Sequence, residues 1–181
     1  TVQCGDADPA DHPFVVADVG AEIEGVVLAH GGPCSLLAQV TDLAAQTADS
    51  GLLGLQVDRL APVISAVRPA SGATLLYTDD QDLETPGMQQ VVEVDVSGVE
   101  AGQVVQVVLT WDDGGVPQSQ TMSQALASSV PDGGSVTVVF GDGDLALTLP
   151  EGAFWWTVEV ADVAGNGTQQ SGSTTAKSTP P

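Results

Sequence analysis

Gly152-Ala153-Phe154-Trp155-Trp156-Thr157-Val158-Glu159-Val160-Ala161-Asp162-Val163-Ala164-Gly165-Asn166 is the stretch on which the fold turns. Phe154, Trp156, Val158 and Val160 share one face, and Trp155, Thr157 and Glu159 share the other. That period of two belongs to a half-buried β-strand. The strand then stops in small, turn-forming residues. Asn166 is the only asparagine in the chain, which suits a position needing left-handed backbone or a side-chain carbonyl. Working outward, residues 92–96 place Val92, Val94 and Val96 inward with Glu93 and Asp95 outward. Residues 103–111 align Val105, Val107, Leu109 and Trp111 on one face. Residues 135–140 and 144–149 are two further strands, expected to meet across the glycine-rich turn Gly141-Asp142-Gly143. Short alternating strands at this spacing predict an antiparallel sandwich.

The chain also matches itself. Shifting it by 120 residues lays 152–166 over Gly32-Pro33-Cys34-Ser35-Leu36-Leu37-Ala38-Gln39-Val40-Thr41-Asp42-Leu43-Ala44-Ala45-Gln46. The glycine, the alternating run, the valine and the aspartate fall in register. Residues 14–19 and 22–28 match the hairpin before this strand, and residues 51–58 match a last strand around 173–177. A repeat this long means arrayed domains. The alignment puts a boundary at Arg59-Leu60-Ala61-Pro62, where proline interrupts any ladder. The expected organisation is a first domain over 1–60, a complete one over 61–178, and a linker at 179–181. The first matches only the later part of the second, so its two leading strands are missing unless residues 1–4 supply one.

Three segments carry a family resemblance. Asp162-Val163-Ala164-Gly165-Asn166, Val57-Asp58-Arg59-Leu60-Ala61-Pro62 and Pro69-Ala70-Ser71-Gly72-Ala73-Thr74-Leu75 resemble the turn, strand-end and opening motifs of bacterial Ig-like repeats. The departures are Arg68, where serine is common, and Asp42-Leu43-Ala44-Ala45-Gln46, which has neither glycine nor asparagine. The resemblance implies two tandem Ig-like antiparallel β-sandwiches, all-β, the first incomplete. It also implies a stalk, an adhesin or another surface module.

Composition narrows the partners. Aspartate and glutamate number 24 against three lysines and arginines, a formal net charge of -21. Arg59, Arg68 and Lys177 cannot make a basic patch, so nucleic acid and anionic lipid are excluded as partners. No apolar run reaches the roughly 18 residues of a membrane span. A mean hydropathy of +0.17 argues for a folded chain despite the charge. Of the acids 17 are aspartate, the poorer helix former. Thr1 begins no signal peptide, so the chain is expected to be a mature or excised fragment of an exported, cell-surface or extracellular bacterial protein.

Each candidate site competes with a plainer role. His30-Gly31-Gly32-Pro33-Cys34 could set an imidazole near a thiol, but a strand end and turn explain it better, and His12 stands alone. No nucleophile elbow, phosphate loop or H-E-x-x-H helix occurs, so an enzyme is not expected. Cys4 and Cys34 fall on segments that the repeat makes sheet neighbours, so a disulfide is expected between them. Asp79, Asp80, Asp82 and Glu84 alternate in one loop, where curling would let Asp80, Asp82 and Glu84 converge on a hard cation, calcium. Asp112 with Asp113, the Asp142-Gly143-Asp144 turn, and Asp162 with Asn166 are the other oxygen-rich candidates. The competing role for all of them is solvation. Asn166-Gly167-Thr168 is also a glycosylation sequon. Outward Trp155 is a stacking platform for a glycan.

The expected function is a non-catalytic stalk, adhesive or assembly element, rigidified by calcium, whose partners are other copies or neighbouring domains of the same surface protein. Two alternatives remain: a filament subunit assembled by strand complementation, and a glycan-binding accessory domain of a secreted hydrolase.

Overall fold

A computed structural model describes residues 2–4, 33–141 and 147–178, and every regular element in them but one is a β-strand. The exception is a single 3-10 turn, Tyr77–Asp79. No helix among the described residues is long and apolar enough to cross a membrane. By contact the chain divides into two units, Thr1–Leu60 and Ala61–Pro181.

The first unit holds β1 (Val2–Cys4), β2 (Pro33–Leu36), β3 (Gln39–Thr41), β4 (Thr47–Asp49) and β5 (Leu53–Gln56). Strand β2 is central, antiparallel to both β1 and β5, while β3 and β4 form a separate hairpin. Hairpin β3–β4 turns through Asp42 to Gln46, as the sequence repeat requires. Gln39 faces Asp49 in that ladder and Leu36 faces Leu53 in the next, so the register slips by one residue near Gly51. The predicted strands over 14–19 and 22–28, and with them His12 and His30, lie outside the described residues.

The second unit continues with β6 (Val63–Arg68), β7 (Thr74–Leu76), β8 (Met88–Gln90), β9 (Val92–Ser97), β10 (Val104–Asp113) and β11 (Val116–Ala125). It ends with β12 (Val136–Phe140), β13 (Leu147–Leu149), β14 (Gly152–Ala161) and β15 (Gly167–Lys177). One sheet has the order β11-β10-β14-β15-β7, and the facing one β12-β9-β6. All pairs are antiparallel except β15 with β7, which are parallel. That pair is the one departure from the expected antiparallel plan, and it arises because the chain crosses from β6 in one sheet to the edge of the other.

The period-two reading places the core. Val94, Val96, Val105, Val107, Leu109, Phe154 and Val158 are fully buried and belong to one cluster spanning both sheets. Trp156 is 2% exposed whereas its neighbour Trp155 is 53% exposed, so the predicted alternation holds residue by residue. Burying an aromatic or aliphatic side chain of this kind contributes roughly 1.5–3 kcal/mol. Trp156 has room because its register partner is Gly172. A Cβ at that glycine would lie 2.3 Å from the indole Cζ2.

Two strand assignments need correction. Residues 135–140 and 144–149 do not pair with each other: β12 pairs with β9, and β13 with β8. The reason is that β8 and β9 run on from one another through Val91, so the incoming chain keeps one antiparallel partner. Strand β11 was not foreseen, because Gln118, Ser119, Gln120, Thr121, Ser123 and Gln124 hide its period. Its signal lies at Asp113-Gly114-Gly115-Val116, a two-residue hairpin with Gly114 and Gly115 at φ of 62° and 89°, the geometry such turns demand.

Candidate functional site

The acidic loops close turns. Asp80 Oδ1 accepts the backbone N–H groups of Asp82 and Gln89, both at 3.0 Å. Asp82 Oδ1 accepts the N–H of Glu84 at 3.0 Å, and its Oδ2 accepts the Thr85 hydroxyl at 2.6 Å. Asp79 Oδ2 takes the Leu76 N–H at 2.8 Å. These are side-chain turns of the kind short polar residues favour. They aim each carboxylate at its own loop backbone, so the expected convergence of Asp80, Asp82 and Glu84 does not occur. No group of three His, Cys, Asp or Glu side chains suited to a metal is found among the described residues. The hydroxyl of Thr85, helped by the Glu84 N–H, holds the Asp82 carboxyl below its usual range.

Asp112 likewise anchors the β10–β11 hairpin, its Oδ1 accepting the Gly115 N–H at 2.6 Å. Asp113 pairs with Val116 across that turn and is exposed. Asp142, Gly143 and Asp144 lie outside the described residues.

Asp162 is different, being only 4% exposed. Its Oδ1 accepts the Asn166 N–H and its Oδ2 the Asn166 side-chain amide, both at 2.8 Å. Burial pushes this carboxyl up. The Asn166 side chain and the N–H groups of Asn166, Ala164 and Gly165 outweigh it, and the net shift is downward. Asp162 and Asn166 are thus brought together as a turn lock. Asp42 repeats the arrangement, its Oδ1 accepting the Ala44 and Gln46 N–H groups at 2.8 and 2.9 Å. Ala45 takes the left-handed place of Gly165, at φ 61° against 87°.

Arg68 has a local role. Its Nη2 lies 2.7 Å from Asp95 Oδ2 and its Nη1 3.4 Å from Glu93 Oε2. One of three basic residues thereby relieves the repulsion between the two outward acids of β9.

Cys4 and Cys34 occupy directly opposed positions on β1 and β2, and Cys34 is 1% exposed. The pairing of β1 with β2 reproduces that of β10 with β14, as the repeat predicts.

Trp155 stands on the outward face of β14, beside Thr110 on β10 and Ser173 on β15. It borders an open hollow of ≈ 460 Å³ with Thr110, Asp112, Pro117 and Ser119. The residues of β11 that complete this hollow were missed by sequence reasoning for the same reason as the strand itself.

No protein-family model matches the chain, and a search of the curated proteins finds no match.

Proposed function

We propose that this chain is a non-catalytic structural or adhesive module of an exported bacterial surface protein, with two β-sandwich units acting in tandem as a spacer or assembly element. The observation that carries the reading is the recurrence of one strand–turn–strand element in both units. Strands β2 to β5 and strands β14 and β15 stand 120 residues apart, with Asp42 and Asp162 closing equivalent turns. Tandem units with their own cores are the ordinary way a chain gains reach. The motifs resembling bacterial Ig-like repeats fall at these same turns and at the boundary between units.

Within this reading Cys4 and Cys34 form a disulfide. Opposed residues of an antiparallel pair have Cα atoms about 4.5–5.5 Å apart, inside the bridging range. Such a bond fits an oxidising, exported setting. Calcium is left out of the reading because Asp79, Asp80, Asp82, Asp112 and Asp162 accept hydrogen bonds within their own turns.

A second reading, an assembly subunit joined by strand addition, is favoured by β11. Its ten residues lie at a sheet edge and carry no charge, and Pro117, at its second position, leaves Gln118 to Ala125 without either of the usual edge guards, charge and proline. Concentration-dependent sedimentation abolished by Thr121→Lys would support strand addition over the spacer.

Pulling the oxidised chain by its ends tests the spacer. The second unit should yield in one event releasing roughly 400 Å of chain, given about 3.3–3.6 Å per residue. Gradual extension at low force would contradict a load-bearing role.

A further inference from the structure

The outward face of the five-stranded sheet is set apart by what it lacks. Register places Ser119, Thr110, Trp155 and Ser173 in one row across β11, β10, β14 and β15. The next row is Thr121, Val108, Thr157 and Ser171, and the third is Ser123, Gln106, Glu159 and Gln169. Every one of these side chains is exposed or half-buried. Glu159 is the only ionisable group in the three rows, on a chain of net charge -21. Its Oε1 accepts the Gln169 amide at 2.6 Å, and the Thr157 and Ser171 hydroxyls lie 3.1 Å apart. Apart from Val108, Trp155 and Glu159, the face is therefore a field of hydroxyls and amides, each able to donate and accept.

Trp155 is the exception in size. An indole offers roughly 150–250 Å² for burial, yet Trp155 is 53% exposed among small residues. Its neighbours Thr110 and Ser119 leave a hollow beside it of ≈ 460 Å³, within the usual range for ligand sites. A second hollow of ≈ 470 Å³, bordered by Val104, Gln106, Glu159 and Gln169, opens farther along the same face. Glu159 lies four residues from Trp155 on β14, roughly 13 Å at strand rise. Two hollows on one sheet face suit an extended ligand better than a single small molecule.

We propose that this face binds a neutral, extended polysaccharide, with Trp155 as the stacking platform. A sugar ring has an apolar C–H face for the indole and a rim of hydroxyls for Thr110, Ser119, Gln106 and Gln169. The three rows carry no lysine or arginine to receive uronate, sulfate or phosphate, and the net charge repels polyanions. The proposal stands whether or not the chain is a spacer.

The test is native gel electrophoresis of the full chain through gels containing barley β-glucan, arabinoxylan, galactomannan or dextran, with alginate as the polyanionic control. At least one neutral gel should retard the protein and alginate should not. Trp155→Ala should raise the apparent Kd tenfold or more, and Trp155→Phe should retain part of the affinity. Near-ultraviolet circular dichroism should show both variants folded. Binding should also shield tryptophan emission from acrylamide. No retardation in any neutral gel, equal retardation of Trp155→Ala, or retardation by alginate would each overturn the proposal. So would a change in sedimentation with Trp155→Ala, which would make this face a contact between copies.

Discussion

The hairpins at residues 33–56 and 152–177 share a turn, and they differ in what lies behind it. In the second, one unbroken ladder runs from Gly152 opposite Ala176 to Ala161 opposite Gly167. Phe154, Trp156, Val158 and Val160 are all buried beneath it. In the first, the ladder slips by one residue. Only Cys34, at the Phe154 position, is buried, while Val40, at the Val160 position, is 45% exposed. The local sequence is nearly enough to make the turn, because Asp42 or Asp162 satisfies most of its backbone donors, with Glu100 Oε2 accepting the Val163 N–H at 3.0 Å in the second unit. A core needs a second sheet, and that is where the two regions part. In globular proteins tertiary burial outweighs what a turn contributes.

The comparison can be broken most severely at Trp156. Trp156→Ala should cost about 3–5 kcal/mol, read as loss of thermal stability of the second unit. Gly172→Ala should also destabilise it, because the new methyl meets the indole. Leu36→Ala, the equivalent change in the first unit, should cost less, since Leu36 is only half-buried. All three tryptophans lie in the second unit, so their fluorescence follows that unit alone.

Removing the proposed Cys4–Cys34 cystine should act on the first unit only. Cys4→Ala with Cys34→Ala should cost it about 3–4 kcal/mol in the chain-entropy model for a loop of roughly 30 residues. The tryptophan-monitored melting of the second unit should not move. A fall in that transition would show that the units do not melt separately.

The turn lock of the second unit should depend on pH. The Asp162 carboxyl is held below its ordinary value by hydrogen bonds. Its contribution is therefore complete above the usual carboxylate range and is lost as pH falls through the lowered folded value. Asp162→Asn should be less stable than the wild type at neutral pH, and the gap should begin to close below about pH 4 and vanish below the lowered folded value. A gap that persists into acid would assign the loss to packing instead.

Exchanging the left-handed residues gives the smallest effect. Gly165→Ala should cost about 1–2 kcal/mol, the penalty for a side chain in that conformation. Ala45→Gly should stabilise the first unit by less, because glycine also loosens the unfolded chain. Chemical shifts of Ala44 and Gln46 would follow the first unit.

Much of this was legible in the sequence because strand burial has a period of two. Val92–Ser97, Val104–Asp113 and Gly152–Ala161 carry it openly, and the repeat alone assigns the partners of β2. Strand β11 was not legible because two of its inward positions, Gln118 and Gln120, are polar and only half-buried, so no apolar alternation marks it. The acidic loop misled for a different reason. Alternating aspartates fit a cation cage and a series of side-chain turns equally well, and only the positions of the Asp82, Glu84 and Gln89 N–H groups tell them apart. The outward place of Trp155 follows from the period alone. Its hydroxyl-rich surroundings needed the register of four strands.

The central claim is that one strand–turn–strand element serves two separately stable units, firm only where a facing sheet covers it. Native-state hydrogen exchange on the oxidised full chain tests it most directly. The amides of Phe154, Trp156 and Val158 should exchange only through unfolding of the whole second unit, at the highest free energy in the molecule. The amides of β2 to β5 should exchange earlier, in their own group, with the β3–β4 ladder more labile than β2–β5. A single shared exchange free energy for both hairpins would contradict the account.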